Sequence, residues 1–316
     1  MSGDAFAAGL AGAGRGAEGA PVWERDGRDW PNREASRFVE AGGLRWHVQR
    51  MGAGPLALLV HGTGAATHSW RDFAPLLAGK GFSVVAADLP GHGFTGTPAA
   101  PEGLSLPGMA DGLAALLGAL GGPGPAVAVG HSAGAAVLAR MCLDGRIAPR
   151  LLVSLNGALL PLGGLPGQVF APLARLLAWT GLVPQLFARH AGDRAVVERL
   201  LRDTGSTLDP AGVEFYARLA RNPGHVAGAF GMMANWDLRP LERELPGLRA
   251  PLVLVAGRND RTIAPAEARR VRGLLPSAEL VYMRGLGHLA HEERPGEVAE
   301  LVARLARSAS VIPGPR

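Results

Sequence analysis

Residues 130–134 read Gly-His-Ser-Ala-Gly and lie between two stretches of small and apolar residues. The run before them, 126–129, is typical of a buried strand, and the run after them, 135–139, is typical of a helix. A tight strand-to-helix turn requires glycine two residues either side of Ser132, because side chains there would collide. The turn strains the serine backbone and points the hydroxyl outwards. The pattern predicts a nucleophilic Ser132; a simple glycine-rich turn in a chain with 46 glycines is the alternative.

Apolar runs of strand length alternate with helical patterns along most of the chain. Buried parallel strands joined by helical crossovers produce this alternation. The sequence therefore predicts an α/β fold with a mostly parallel, eight-stranded sheet flanked by helices. The strands are predicted at 36–41, 44–50, 56–60, 83–87, 126–129, 151–155, 251–256 and 279–282. Helices are predicted at 73–79, at 106–120, directly after Ser132 and at 295–307.

Two parts of the chain fall outside this alternation. Residues 158–247 show helical patterns without a convincing strand and are too long for a crossover, so we predict an inserted helical cap there. The core domain then comprises 31–157 and 248–316. Residues 1–30 are rich in alanine and glycine without apolar periodicity, which predicts a flexible amino-terminal segment.

A serine hydroxyl is a weak nucleophile, so Ser132 needs a base, and the base needs an acid that orients it. In parallel sheets such groups gather beyond the carboxyl ends of the strands. Asp260 follows the seventh predicted strand and His288 follows the eighth, so the sequence predicts a Ser132, Asp260, His288 triad in that chain order. His291 is a rival base. Asn156 occupies an alternative acid position, but an amide cannot stabilise an imidazolium by charge.

The reaction also needs two backbone N–H donors that stabilise an oxyanion. The amide of Ala133, at the start of the helix after the serine, is predicted to be one of them. The second donor is expected in the loop 61–64, which reads His-Gly-Thr-Gly; Thr63 is the first candidate and Gly64 the runner-up. The alternative, a phosphate-binding loop, lacks the lysine and spacing of that motif. His61 is expected to brace the loop.

Substrate-pocket candidates come from three places in the chain. The set consists of His131 beside the serine, Phe94 after the fourth strand, and Phe230, Met232, Met233 and Trp236 in the predicted cap. An apolar pocket is one interpretation of the four cap residues; an ordinary helix-packing stripe is the other. The segment 88–93 reads as a structural Pro-Gly turn near the site.

Composition limits the remaining classes. The net charge of +5 comes from scattered arginines without a run of five like charges, which argues against a nucleic-acid partner. No apolar stretch approaches the roughly 20 residues of a membrane span, and no secretory signal is readable, so a cytoplasmic location is expected.

The single cysteine, Cys142, excludes an internal disulfide framework. The nine histidines show no metal-ligand spacing, and neither a metal nor another cofactor is expected.

Together the loop 61–64, the segment 88–93, the pentapeptide 130–134, Asp260 and His288 resemble the α/β-hydrolase superfamily, over roughly residues 36–308. The resemblance implies acyl-transfer hydrolysis by the three triad residues and substrate selection by the cap. Residues 30–34 and 61–74 are further similar to a hydrolase-fold family encoded with bacteriochlorophyll synthesis genes, the magnesium-chelatase accessory proteins. This second resemblance implies a pathway rather than a reaction.

Two hypotheses follow. In the first, the protein is a serine hydrolase acting on an ester-like, apolar or tetrapyrrole-related small molecule near the magnesium-chelation step. In the second, it is a non-catalytic accessory protein that holds magnesium-chelatase subunits or a porphyrin intermediate. An aspartate-nucleophile dehalogenase or epoxide hydrolase is disfavoured because the turn presents Ser132.

Overall fold

The computed structural model of the chain describes residues 19–161, 182–190 and 192–313. It contains one eight-stranded sheet with the spatial order β1-β2-β4-β3-β5-β6-β7-β8. The strands are β1 (Ser36–Ala41), β2 (Leu44–Met51), β3 (Leu56–Val60), β4 (Ser83–Ala87), β5 (Val127–His131), β6 (Leu151–Leu155), β7 (Leu252–Gly257) and β8 (Glu279–Met283). β2 pairs antiparallel with β1 and β4, and all other pairs are parallel. The predicted mostly parallel sheet is confirmed, with strand ends within two residues.

Helices cover both faces of the sheet and continue between β6 and β7. They are α1 (Trp23–Asp26), α2 (Phe73–Gly79), α3 (Leu106–Leu120), α4 (Ala133–Leu143), α5 (Leu182–His190), α6 (Arg194–Asp203), α7 (Pro210–Ala220), α8 (Pro223–Ala234), α9 (Arg239–Glu244), α10 (Pro265–Leu274), α11 (Ala290–Glu293) and α12 (Pro295–Ser308). Side-chain caps start several of them; for example, the Ser105 hydroxyl accepts from the amide of Gly108.

The central strands are apolar at most positions because both of their faces are covered. Leu58 and Val60 of β3 join the core that lies against α3 and α4, whereas Ala57 and Leu59 join the core that lies against α2 and α12. Alternate residues of one strand therefore stabilise opposite layers.

The described chain between β6 and β7 consists of helices joined by loops, as the sequence predicts. Helices α5 to α9 lie in this interval, and its described residues contain no strand. Residues 162–181 and Ala191 lie outside the described residues. The limits 158–247 assigned to a cap stay a prediction.

Residues 19–30, here called the amino-terminal strap, pack against the rest of the protein. Trp30 is buried, and its indole N–H donates to the Thr67 hydroxyl at 3.0 Å. The Arg218 guanidinium of α7 forms an ion pair with Asp29 and also donates to the carbonyl of Asp26. The two indole-bearing residues of the strap thus pack against the core although glycine and alanine surround them, and the flexible segment predicted over residues 1–30 stays a prediction. Residues 1–18 lie outside the described residues.

Candidate active site

The turn at Ser132 has the strained geometry that its sequence predicts. Ser132 lies between β5 and α4 with φ 51° and ψ −119°, a positive φ that is costly for a residue with a side chain. A Cβ on Gly130 would come within 2.5 Å of the backbone of Ala135, and one on Gly134 would overlap the carbonyl oxygens that end β3. Glycine is required at both positions because strand and helix cross in direct contact.

Asp260 and His288 form a buried hydrogen-bonded pair. Asp260 follows β7 and His288 follows β8, and Nδ1 of the imidazole lies 2.8 Å from Oδ2 of the carboxylate. The second carboxylate oxygen accepts from the amides of Thr262 and Ile263 at 2.8 and 2.9 Å. With both oxygens occupied, the carboxylate is fixed in orientation and holds the imidazole ring in one tautomer, with Nε2 facing away from it.

The loop that carries His288 is held by residues that sequence reasoning either missed or gave another role. Asn156, in a left-handed conformation after β6, donates to the Gly287 carbonyl at 2.7 Å and accepts from the Gly257 amide at 3.0 Å. It is thus a bridge between the two loops that carry the acid and the base. Glu293 accepts from the Gly287 amide at 2.8 Å. The sequence indicated only that Asn156 directly follows a buried strand, and it gave no signal for Glu293.

His131 connects the nucleophile turn to the base. Its Nε2 donates to the carbonyl of His288 at 2.9 Å, and the two rings lie 4.7 Å apart. A Cβ at Gly62 would lie 2.9 Å from Cβ of Ser132 and 3.0 Å from Nδ1 of His131, so the loop after β3 abuts the same turn. The Ser132 turn, the His288 loop and the loop 61–64 therefore meet at one edge of the sheet.

The Ser132 hydroxyl has no hydrogen-bond partner in the part of the chain that the structure describes. Hydrogen bonds between a nucleophile and its base are commonly long without a ligand and tighten when substrate binds. The structure brings Asp260 and His288 into direct contact, and His131, the residue before Ser132, bonds to the carbonyl of His288.

The predicted oxyanion loop contains unpaired amides. Gly62 and Ala65 close a turn through a 3.2 Å backbone hydrogen bond, and the turn contains Thr63 and Gly64, the latter with φ 75°. The amides of Thr63 and Gly64 bond to no acceptor among the described residues, and both residues are only half-buried. Ala133 is the first residue of α4, so its amide has no acceptor one turn earlier in the helix. Backbone amides without an acceptor are the type of donor that an oxyanion hole uses, and the assignment of these three stays a prediction.

The pocket candidates do not form one group. Phe94 is buried in an aromatic cluster with Trp23 and Trp30, with ring centroids 4.9 Å apart in both contacts. Phe230 packs against Phe187, whereas Met233 is 50% exposed. Two further candidates face inward: Met232 is fully buried, and Trp236 packs on the core beside α4. His131 is 2% exposed. The helix-packing interpretation describes most of them better, and a shared pocket stays a prediction.

A second polar cluster lies beside the His288 loop and includes the rival base. His291 Nε2 lies 2.8 Å from the Ser69 hydroxyl, which donates to Glu292 at 2.7 Å. Tyr216 of α7 donates to the same carboxylate oxygen at 2.7 Å. Burial lowers the pKa of His291 to about 3, and its ring faces Ser69 rather than Asp260. His291 therefore lacks the oriented carboxylate that His288 has.

The segment 88–93 is structural, as expected. Burial alone raises the pKa of Asp88, but the adjoining imidazole of His47, at 2.8 Å, holds it below its ordinary value. The carboxylate also accepts from the amides of Thr67 and Phe94 at 2.6 and 2.9 Å. His61 donates to the Gly62 carbonyl and accepts from the amide of residue 89, so it braces the loop.

Residues 19–161, 182–190 and 192–313 contain no group of three or more histidine, cysteine, aspartate or glutamate side chains that could hold a metal ion. None of their helices is both long and apolar enough to cross a bilayer.

Comparison with known proteins identifies the class. Residues 57–301 match the alpha/beta hydrolase family, and the chain belongs to it. It is similar to the magnesium-chelatase 30 kDa subunit of Rhodobacter capsulatus, with 38% identity over 266 residues that cover 84% of this chain and 92% of that protein.

Relatives with lower sequence identity include an esterase and an epoxide hydrolase. The pimeloyl-[acyl-carrier protein] methyl ester esterase of Aeromonas hydrophila is 28% identical over 261 residues, covering 81% of this chain and 96% of the esterase. The crystal structure of an epoxide hydrolase from Vigna radiata superposes with a TM-score of 0.71 at 20% identity, covering 86% of this chain and 98% of that one. The latter likeness shows the fold alone.

Proposed function

We propose that the protein is a serine hydrolase that cleaves an ester-like bond through Ser132, His288 and Asp260. The observation that carries the proposal is the buried 2.8 Å pair of His288 and Asp260 at the sheet edge where the strained Ser132 turn also lies. A carboxylate, an imidazole and a serine at the ends of different strands form the arrangement that acyl transfer uses.

In this mechanism the Ser132 hydroxyl attacks the acyl carbon while Nε2 of His288 takes its proton. Asp260, bonded to Nδ1, stabilises the imidazolium that forms. The oxyanion accepts from the amides of Ala133 and Thr63, with Gly64 as an alternative donor. The imidazolium then protonates the leaving alcohol, and the acyl group stays on the serine. Water, activated by the same imidazole, releases the acid and restores the free hydroxyl.

An ester fits better than an epoxide because the nucleophile is a hydroxyl. A serine that opened an epoxide would form a stable ether, whereas an acyl-serine is readily hydrolysed. A similarity to a methyl ester esterase supports the same choice.

The similarity to a magnesium-chelatase subunit supports a place in pigment synthesis. We propose that the substrate is an apolar or tetrapyrrole-related ester handled in the cytoplasm near the magnesium-chelation step of bacteriochlorophyll biosynthesis. The helices between β6 and β7 act as the cap that selects it.

A fluorophosphonate probe tests the chemistry without knowledge of the substrate. The wild type is expected to be labelled, and Ser132→Ala is expected to abolish labelling while thermal unfolding stays unchanged. Ser310→Ala is the matched control, since Ser310 is exposed and also has a positive φ, 53°, but lies outside the site. Labelling of Ser132→Ala at the wild-type rate would contradict the proposal.

The second candidate is an accessory role in which the fold binds a chelatase subunit or a porphyrin. The similarity to a Rhodobacter capsulatus protein named as a subunit of magnesium chelatase favours it. Complementation of a strain that lacks this gene separates the two. The hydrolase predicts that Ser132→Ala fails to restore pigment at normal protein level, and the accessory role predicts full restoration.

A further inference from the structure

Helix α8 lies directly on the loops that border the candidate site. A Cβ on Gly228 would overlap the carbonyl oxygen of Gly91, so helix and loop are in backbone contact. One turn further on, the Thr63 hydroxyl donates to the sulfur of Met232 at 3.4 Å. One turn earlier, His225 reaches both loops at once. The face of α8 that contacts the core is thus formed by residues three and four apart.

His225 joins the two loops through its two ring nitrogens. Nε2 donates to the Gly64 carbonyl at 3.1 Å, and Nδ1 accepts from the Gly93 amide at 3.0 Å. A ring that donates on one side and accepts on the other is neutral and has a single tautomer. Burial lowers the pKa of His225 to about 4, which keeps the ring in this state at neutral pH.

Apart from the backbone bond between Ala65 and Gly62, the Gly64 end of the oxyanion loop has little packing support. Gly64 is half-buried, and a Cβ built on it would meet nothing within 4 Å, so packing does not hold the loop there. The carbonyl that His225 binds belongs to the same peptide group as the Ala65 amide, which closes the turn on Gly62. When this peptide plane is fixed, the N–H groups of Thr63 and Gly64, which precede it, are fixed in direction as well.

We propose that His225 is a positioning residue that holds the oxyanion loop through the Gly64 carbonyl, so that α8 completes the site from the cap side. The inference rests on the proposed function, because it treats the amides of Thr63 and Gly64 as the oxyanion donors. A donor displaced by about 1 Å costs on the order of 100-fold in rate, so the loss of this hold affects turnover rather than substrate binding.

Three substitutions of His225 separate the two bonds. His225→Gln places an amide N–H near the position of Nε2 and retains a donor for Gly64. His225→Asn places an acceptor near the position of Nδ1 for Gly93 but cannot reach Gly64, and His225→Ala removes both. Val226→Ala, a truncation of a buried neighbour on α8, controls for general loosening of the helix.

The rate of fluorophosphonate labelling and the hydrolysis of p-nitrophenyl acetate are measured for each variant, with thermal unfolding alongside. We expect His225→Asn and His225→Ala to lose about 10- to 100-fold in labelling rate and kcat, with KM within about threefold of wild type. His225→Gln and Val226→Ala are expected to stay near wild type. Rescue by glutamine but not by asparagine distinguishes loop positioning from a merely structural role.

Wild-type rates in His225→Asn, with the wild type labelled at Ser132, would overturn the positioning role and leave the proposed function intact. An unlabelled wild type would overturn the proposed function itself. Hydrogen exchange at the Ala65 amide, compared between wild type and His225→Asn, tests the hold on the loop without any chemistry. We expect faster exchange in the asparagine variant, and exchange at the wild-type rate would contradict the role of the Gly64 bond.

Discussion

At the scale of single residues, Glu292 stands out because its ionisable carboxylate is almost fully buried. Its carboxylate is 1% exposed and accepts from Ser69 and Tyr216, with the Arg71 guanidinium at 3.4 Å. Burial raises the pKa of Glu292 to about 7, and these donors offset only part of that effect. The folded protein therefore keeps a proton on Glu292 at pH values where the unfolded chain has lost it.

This residue predicts a pH-dependent stability difference for Glu292→Gln. A folded pKa above the unfolded value means that wild-type stability falls as pH rises from about 4.5 to 7. The glutamine variant lacks this loss, so its free energy of unfolding relative to wild type should rise by roughly 3 kcal/mol across that range. Urea unfolding at several pH values measures it. The control is the exposed Glu297→Gln, and a difference that stays flat with pH would contradict the prediction.

At the scale of elements, the contact of α8 with the loop after β4 depends on the absence of two side chains. Gly228 faces the backbone of Gly91, and a Cβ on Gly91 would in turn come within 3.1 Å of the Gly228 Cα. Neither neighbour can move like a flexible side chain, because both are main chain.

Alanine at Gly228 and at Gly273 should therefore have opposite effects. Gly228→Ala forces α8 away from Gly91, and we expect a loss of about 2 kcal/mol or more in unfolding free energy, comparable to other overpacking substitutions. Gly273→Ala, in α10 with open space around it, should gain roughly 0.5 to 1 kcal/mol through lower chain entropy. Thermal unfolding of the two variants measures this contrast, and equal shifts would refute it.

The sheet and the position of the candidate site residues at strand ends could be predicted from local sequence, whereas the contacts of the inserted helices could not. Strand ends carry Ser132, Asp260 and His288, and period, length and turn residues locate strand ends well. His225 and Met232 depend on which face of α8 meets a loop more than 100 residues away, and no local pattern encodes that partner. The same limit explains why Met233, expected in a pocket, is exposed.

At the scale of the whole molecule, burial of histidine dominates the response to acid. Eight of the nine histidines are buried, and only His190 is exposed. Burial lowers the pKa values of six of them: His61, His68, His92, His131, His225 and His291. The unfolded chain takes up protons on these rings below about pH 6.5 while the folded protein does not, so stability falls as pH falls.

The free energy of unfolding is expected to fall steeply as pH falls. Each ring contributes up to about 1.4 kcal/mol per pH unit, or roughly 8 kcal/mol for six, against a typical total stability of about 5–15 kcal/mol. Glu292 has the opposite effect on stability over this pH range, but it takes up only one proton. We therefore expect the protein to unfold in acid as pH falls below the ordinary histidine pKa of about 6.5, which circular dichroism measures. His68→Phe, which removes one such ring among aromatic neighbours, should lower the slope by about 1.4 kcal/mol per unit, whereas His190→Gln should leave it unchanged.

The amino-terminal strap has a consequence for the order in which the protein assembles. Trp30 packs against Phe215, and Gly19 accepts from the amide of Gly224, so the docking surface of the strap is synthesised long after the strap itself. Domains fold as the chain emerges, and contacts between distant residues form late. Trp30 is made early and meets Phe94 first, but it lacks its partner Phe215 until the second half of the chain has been synthesised. Docking of the strap is therefore expected to be the last step of folding. Tryptophan fluorescence during refolding should show it as the slowest phase.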